Sequence, residues 1–459
     1  MTQSTSIGAA SDASVPTWFG QPRGLTVIFL TEMWEKFSYY GMRAMLVYYM
    51  TRQLLFSQHD ASLVYGLYTA FVYFTPIIGG FVSDRWLGKR NAVIAGASMM
   101  ALGHFMMTFE PLFYGALAAI ALGNGLFLPS LPSQIKGLYA KDDPRLGSAF
   151  NIYYVGINVG GFLAPLVCGT IGELYGWHYG FALAGIGMLA GLAVYIGGRR
   201  YLPVEPQRAL PIVRATTARS ELGSRYLLLA GVMLAVVIFR SAYEQIGNTV
   251  AIWAGEGVER TLSAGIVIPM TWFQSLNSLL VFVLTPFVVA HWLRQAKRKR
   301  EPTSLVKMAI GAATVAGAYA MLACVSWVAG VHDTRAAWYW LVLFFVVLTA
   351  GELYILPIGL GLFSRLAPVG FGATTIAAWF LAAFGGNLLA GAIGSRWNFM
   401  SHPQFFALMA SIASVASVLL LLLNPAALRA EQRALSEADA REGNAAGDDK
   451  RSGRLVGPR

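Results

Sequence analysis

Cysteine and charge are both scarce in this chain of 459 residues. The two cysteines, Cys168 and Cys324, lie within apolar segments. No disulfide framework is therefore expected, and both are predicted to be packing residues. The six histidines form no cluster with acidic residues at helical spacing, and no nucleophile and base set is apparent. These absences argue against a disulfide scaffold, a metal site and an enzyme. Charged residues make up only 12% of the chain, fewer than in ordinary soluble domains.

Apolar residues fill most of the remaining sequence, at 56% with a mean hydropathy of +0.55. Windows of about 20 apolar residues are long enough to cross a bilayer as helices. The sequence therefore predicts an all-α integral membrane protein with twelve spans. The predicted spans are 24–50, 61–84, 90–109, 112–139, 146–170, 177–197, 226–252, 262–293, 304–329, 336–365, 371–395 and 403–424.

The basic residues are distributed unevenly between the predicted loops. The formal charge is +11, yet only four of the 34 Lys and Arg residues fall in loops on the outer side: Arg52, Arg260, Arg335 and Arg396. Basic residues concentrate in cytoplasmic loops, so both termini are predicted to be cytoplasmic. The basic run at 294–300 then indicates topology and contact with lipid headgroups, and no nucleic-acid partner is expected.

A polar linker divides the predicted spans into two sets of six. We expect a cytoplasmic tail at 1–23 without a cleaved signal peptide, and a first six-helix bundle at 24–197. The linker, 198–225, is rich in Arg and Pro and too short for two further spanning helices. A second bundle follows at 226–424. The last segment, 425–459, is predicted to be a cytoplasmic tail that is disordered beyond a short helix.

One face of the first predicted span is polar. Residues at i, i+3, i+4, i+7, i+8 and i+11 share a helical face. Charged groups inside a membrane are costly and usually functional, although a stabilising ion-pair cluster without a transport role is the alternative. The residues of this face are Glu32, Glu35, Lys36, Tyr39, Tyr40 and Arg43.

The run from Glu32 to Gly41 reads Glu-x-x-Glu-Lys-Phe-x-Tyr-Tyr-Gly. It resembles the first-helix signature of the proton-dependent oligopeptide transporter (POT) family. Gly80–Arg90 is similar to a cytoplasmic loop of the major facilitator superfamily, which implies a gating role for Asp84 and Arg85. The resemblance implies the major facilitator fold, with twelve transmembrane helices in two six-helix bundles.

Shorter motifs in six later spans are also similar to the POT family. They are Tyr73-Phe74-Thr75-Pro76, Phe150 to Gly160, Phe239 to Gly247, Gln274-x-x-Asn277, Gly351-Glu352 and Ala378-Trp379. In the family such residues line the peptide site. The substrate-binding residues predicted from the polar face and these motifs are Tyr39, Tyr40, Arg43, Tyr73, Asn158, Asn277, Glu352 and Trp379.

Three residues depart from the family pattern. Lys36 stands where Arg is usual, Leu128 replaces a Lys, and Arg240 replaces a Trp. The missing Lys normally pairs with the acidic residue that Glu244 matches. Because Arg240 precedes Glu244 by four residues on one helix, we hypothesise that Arg240 restores this pair. Breaking an ion pair favours protonation of its carboxylate. The predicted proton-coupling residues are Glu32, Glu35, Lys36, Arg240 and Glu244.

The resulting prediction is a proton-coupled symporter of the bacterial inner membrane that imports di- and tripeptides by alternating access. The peptide carboxylate would lie near Arg43 and Lys36, and its amino terminus near Glu352. Protons are the coupling ion, no other cofactor is expected, and we expect a monomer surrounded by lipid. The departures leave open a related carrier of nitrate, amino acids or a peptide-like compound. A passive channel is a further alternative, which two six-helix halves with central ion pairs do not favour.

Overall fold

The structure is a computed structural model that describes residues 17–18, 20–140, 143–203, 219–262, 265–366 and 372–452. These residues are almost entirely helical, as the apolar windows predict. The strands are only two residues long: β1 (Thr17–Trp18) pairs antiparallel with β2 (Gln21–Pro22), and β3 (Val258–Glu259) pairs parallel with β4 (Ala336–Ala337).

Six spans form the first half of the molecule. The fifth span is interrupted by a π-helical turn, Pro165–Gly169, which joins α5 to α6. The helices are α1 (Arg23–Arg52), α2 (Gln58–Val82), α3 (Lys89–Met106), α4 (Phe113–Ser130), α5 (Leu146–Ala164), α6 (Thr170–Tyr175) and α7 (Trp177–Gly198).

Six further spans form the second half. A 3₁₀ turn, Glu244–Gly247, joins α8 to α9, and a bend at Tyr354 separates α12 from α13. The helices are α8 (Arg219–Tyr243), α9 (Thr249–Glu256), α10 (Trp272–Lys297), α11 (Ser304–Val331), α12 (Trp338–Leu353), α13 (Leu356–Leu366), α14 (Gly372–Gly394) and α15 (His402–Ser452).

Ten of the described helical segments are long and apolar enough to cross a membrane. The other two predicted spans correspond to α1 and α3. Helix α1 carries the polar face, and α3 begins with Lys89 and Arg90 and contains the buried His104. The chain is an integral membrane protein.

One predicted span begins too early. The window from 262 was expected to be helical, but α10 starts at Trp272. Before it, Thr261 bridges to Val267, and Arg260 Nη1 donates to the Ile268 carbonyl at 2.6 Å. Gly265 has a φ of +74°, which a helix does not contain. Apolar content alone could not distinguish this turn from the start of a helix.

The predicted end of the second bundle at 424 is not the end of a helix. Helix α15 continues to Ser452, where disorder was expected. The residues after 425 are rich in Ala, Glu and Arg, which favour helix without apolar packing. Most of the predicted linker, 204–218, lies outside the described residues, so the domain boundaries stay predictions.

The two halves are joined by contacts near the end of the bundle away from the termini. Gln58 Nε2 donates to the Gly394 carbonyl at 2.8 Å, and Ser62 Oγ donates to Asn248 Oδ1 at 2.9 Å. A Cβ atom on Gly66 would lie 2.4 Å from the Gly391 Cα. The main chains of α2 and α14 therefore touch at a point that only glycine permits.

We predict that Gly66→Leu lowers the melting temperature of the protein in detergent. Overpacking a tight contact costs about 1–3 kcal/mol, because the added atoms must displace the α14 main chain. The measurement is thermal unfolding followed by tryptophan fluorescence. Gly317→Leu in α11 is the matched control, since nothing lies within 4 Å of a Cβ there. Equal melting temperatures for the two variants would contradict the prediction.

Candidate functional site

A buried charge cluster lies on α1, at the beginning of the polar face. Glu32 and Glu35 are fully buried, and Lys36 is 9% exposed. Lys36 Nζ lies 2.7 Å from Glu35 Oε2 and 3.5 Å from Glu32 Oε1. Helix α5 comes close to this cluster at Gly160, where a Cβ atom would lie 2.2 Å from the Met33 carbonyl oxygen. A single ammonium group therefore faces two carboxyl groups in a low-dielectric setting.

A second cluster joins the two halves through Glu244. Arg43 Nη2, from α1, lies 2.6 Å from Glu244 Oε2, and Arg240 Nη1, from α8, lies 2.5 Å from Glu244 Oε1. The Nε of Arg43 also donates to the Tyr65 hydroxyl at 2.8 Å. The spacing-based contact between Arg240 and Glu244 is present. The contact with Arg43 was missed, because sequence spacing says nothing about residues 201 positions apart.

The backbone around Glu244 is shaped to bring these groups together. Helix α8 ends at Tyr243, and the following 3₁₀ turn leads to Asn248, whose φ of −117° and ψ of −97° interrupt the helix. A Cβ atom on Gly247 would lie 1.9 Å from the Tyr65 hydroxyl oxygen. Glycine at this position therefore allows Tyr65 to reach Arg43.

Glu352 is the third acidic site and is half-buried. Its Oε2 accepts a hydrogen bond from Asn277 Nδ2 at 2.7 Å, and the Tyr243 hydroxyl bonds to the same carboxyl group. Asn277 also contacts Thr349 Oγ1 at 3.2 Å. Within the described part of the chain, no Lys or Arg forms an ion pair with Glu352.

A cavity of about 120 Å³ lies between the halves and is bounded by the second and third clusters. Its charged lining residues are two arginines and two glutamates, so the formal charges balance. Seven of the predicted site residues line it: Tyr40, Arg43, Tyr73, Arg240, Glu244, Asn277 and Glu352. Tyr243, Gln274 and Ser278 also line it, although the sequence did not predict them as site residues. The available signal was their position close to Glu244 or Asn277 in the chain.

Three predicted substrate residues lie outside this lining. Tyr39 is buried and packs edge-on against Tyr40, with ring centres 5.2 Å apart. Asn158 Nδ2 donates to the Tyr154 carbonyl one turn earlier, at 2.9 Å. Trp379 packs against Phe363 with ring centres 5.3 Å apart. Their residue types fit a binding site, but a sequence does not show towards which cavity a side chain points.

The remaining predicted residues are also away from the cavity. Glu32, Glu35 and Lys36 form their own cluster on α1. Asp84 and Arg85 lie in the π-helical turn Ser83–Leu87 and are exposed, and Arg85 lies over the Phe81 ring at 6.0 Å. Among the described residues, no group of three or more metal-ligating side chains could hold a metal ion.

Comparison with known proteins identifies the family. The sequence model of the POT family matches residues 90–219 and 212–404. This chain belongs to the POT family. It is 31% identical to a di-/tripeptide transporter of Lactococcus lactis subsp. cremoris, over 90% of this chain and 97% of the relative. It is 30% identical to a Yersinia enterocolitica peptide transporter, over 89% of this chain and 95% of the relative.

Solved structures agree with this assignment. A crystal structure of a POT peptide transporter in complex with sulfate aligns with a TM-score of 0.84 at 28% identity, covering 91% of this chain and 97% of that one. A crystal structure of a mutant POT peptide transporter in complex with alafosfalin aligns with a TM-score of 0.83 at 29% identity, covering 91% of this chain and 97% of that one. The chain is therefore a transporter with the major facilitator fold and not an enzyme, as predicted.

We predict that Lys36→Met destabilises this POT-family protein strongly. Removing one partner of a buried ion pair costs about 3–5 kcal/mol, because the carboxylates of Glu32 and Glu35 lose the cation with which they pair among the described residues. Thermal unfolding in detergent at neutral pH measures the loss. Lys36→Arg keeps the charge and serves as the control, with a smaller decrease. A Lys36→Met protein as stable as the wild type would show that the cluster is not held by this charge.

Proposed function

We propose that this protein is a proton-coupled symporter that imports di- and tripeptides by alternating access. The observation that carries the proposal is the central cavity, in which two arginines share one carboxylate while Glu352 forms no ion pair with any described residue. The names of the bacterial relatives, which include di-/tripeptide transporters, support the same substrate class.

The charge arrangement suits a zwitterion. A peptide carboxylate would bind the guanidinium of Arg43, with Arg240 close by. The peptide ammonium would bind Glu352, and Asn277 would hold that carboxylate in place. Lys36 was predicted to assist with the peptide carboxylate, but it lies outside the cavity lining, so we assign the carboxylate to Arg43 alone. One substrate would thereby bridge residues of both halves.

Peptide side chains need a tolerant surface. Tyr40 and Tyr73 line the cavity and offer aromatic faces together with polar hydroxyl groups. Tyr39, Asn158 and Trp379 do not line the cavity. We propose that they support its wall and reach the substrate only when the halves rearrange.

Proton coupling would use carboxylates whose ion pairs break during transport. On α1, Glu32 and Glu35 share the positive charge of Lys36. A proton on one of the two carboxylates would bring the net charge of this cluster to zero. At the cavity, a proton on Glu244 would release Arg43, and this release would weaken the link between the halves. Arg240 stays close to Glu244 in either case, because both lie on the same helical segment. No cofactor other than the proton is needed.

Alternating access requires the halves to separate at one end at a time. With both termini in the cytoplasm, as we propose, the contacts at Gln58, Ser62 and Gly66 close the outer side. Asp84 and Arg85 would form gating contacts when the inner side closes. We place the protein in the bacterial inner membrane as a monomer surrounded by lipid.

Uptake of labelled dialanine into proteoliposomes tests the function directly. We expect an inwardly directed proton gradient to stimulate uptake, and Glu35→Gln to abolish the stimulation because Lys36 then keeps a single weak partner. Glu110→Gln, at an exposed acidic residue, is the control and should behave like the wild type. Absence of dialanine uptake by folded wild-type protein would overturn the proposal and direct attention to tripeptides, amino acids and nitrate.

The role of Glu352 has a separate test. We expect Glu352→Gln to weaken dialanine binding about tenfold, because the ion pair between the ammonium and a carboxylate is replaced by a hydrogen bond to an uncharged amide. Competition against labelled dialanine measures this effect. N-acetyl-dialanine, which lacks the ammonium, should bind the wild type weakly and the variant no worse. An equal loss for both compounds would assign Glu352 a structural role only.

A further inference from the structure

Arg240 lines the cavity with part of its hydrogen-bonding capacity unused. Its side chain is only 7% exposed. One terminal nitrogen contacts Glu244, and Tyr73 accepts a hydrogen bond while its ring centre lies 4.9 Å from the guanidinium carbon. The Nε of Arg240 is buried and has no hydrogen-bond partner among the described residues. A buried donor without a partner is unfavourable, so the guanidinium of Arg240 keeps hydrogen-bonding capacity for an additional acceptor.

The positive charge at this site also exceeds what Glu244 can balance. The Glu244 carboxylate has two oxygens, and each already contacts one arginine. Two guanidinium groups therefore share one negative charge. The two cations of the described lining, Arg43 and Arg240, belong to α1 and α8. That lining includes no residue of α4, the helix that carries Leu128. With Glu352 included, the charges of the lining balance, and a zwitterionic peptide does not change that balance. Protonation of Glu244 then leaves one positive charge for a second anion.

We propose that Arg240 forms a second anion subsite, which makes the cavity select peptides whose carboxy-terminal residue is acidic. The inference rests on the proposed function. In such a peptide the side-chain carboxylate lies at the same end as the main-chain carboxylate, so both can face the two arginines. An acidic side chain at the amino-terminal residue instead lies beside the ammonium, where Glu352 repels it.

Two isomeric dipeptides separate this subsite from a general preference for negative charge. Ala-Glu and Glu-Ala have the same composition and net charge, and Ala-Gln has nearly the same shape as Ala-Glu. The experiment is exchange of labelled dialanine across proteoliposomes without a proton gradient, with each dipeptide as competitor. For the wild type we expect Ala-Glu to compete about tenfold better than Glu-Ala or Ala-Gln, the factor of one charge-assisted contact.

Variants of the two partners test the assignment to Arg240. Arg240→Gln should bring the ratio between Ala-Glu and Glu-Ala close to one. Arg240→Lys keeps the charge but loses the planar fork and should keep part of the ratio. Glu244→Gln frees both guanidinium groups and should increase the ratio. Each ratio is measured within one variant, so a general loss of exchange activity cancels.

The possible results separate the inference from the function on which it rests. If dialanine is exchanged but Ala-Glu and Glu-Ala compete equally in the wild type, the subsite is wrong and peptide transport stands. The same conclusion follows if Ala-Glu remains the better competitor by the same factor in Arg240→Gln. If Arg240→Gln does not fold, an unchanged ratio in both Arg240→Lys and Glu244→Gln overturns the subsite equally. If folded wild-type protein exchanges none of these peptides, the proposed function fails and the subsite with it.

Discussion

The carboxylate of Glu244, held by one arginine from each half, is the interaction on which the centre of this molecule depends. A charge buried away from water is stable only when an opposite charge lies close to it. Here the two arginines that balance Glu244 come from α1 and α8. The contact therefore sets the distance between the halves and the charge of the cavity at the same time. Any group that competes for Arg43 acts on both.

The main chain is adapted to this contact at several positions. The helix is broken after Glu244, and Gly247 leaves room for the Tyr65 hydroxyl to reach Arg43. On the other side of α1, Gly160 lets α5 approach the Lys36 cluster. At Gly247 and Gly160 a small residue lets neighbouring elements approach closely, and these approaches hold the polar groups in position.

Much of the fold could be predicted from the sequence. The apolar windows mark the spans, and the helical repeat places the polar residues of α1 on one face. The contact between Arg240 and Glu244 could also be predicted, because four residues on one helix bring side chains together. The contact of Glu244 with Arg43 could not, since it depends on how two distant helices pack. Nor could composition show that Asn158 bonds within its own helix, or that the apolar residues before Trp272 form a turn.

The meeting of Gly66 and Gly391 has a mechanical consequence. At this point the main chains of α2 and α14 meet with no side chains between them, whereas Phe71 and Phe74 of α2 pack against Phe384 of α14 further along the helices. Under the proposed alternating access, the hydrogen bonds of Gln58 and Ser62, which precede Gly66 on α2, would have to break when the halves separate on this side. In that mechanism the glycine pair would be the point about which the two helices turn, and the hydrogen bonds would hold the closed arrangement.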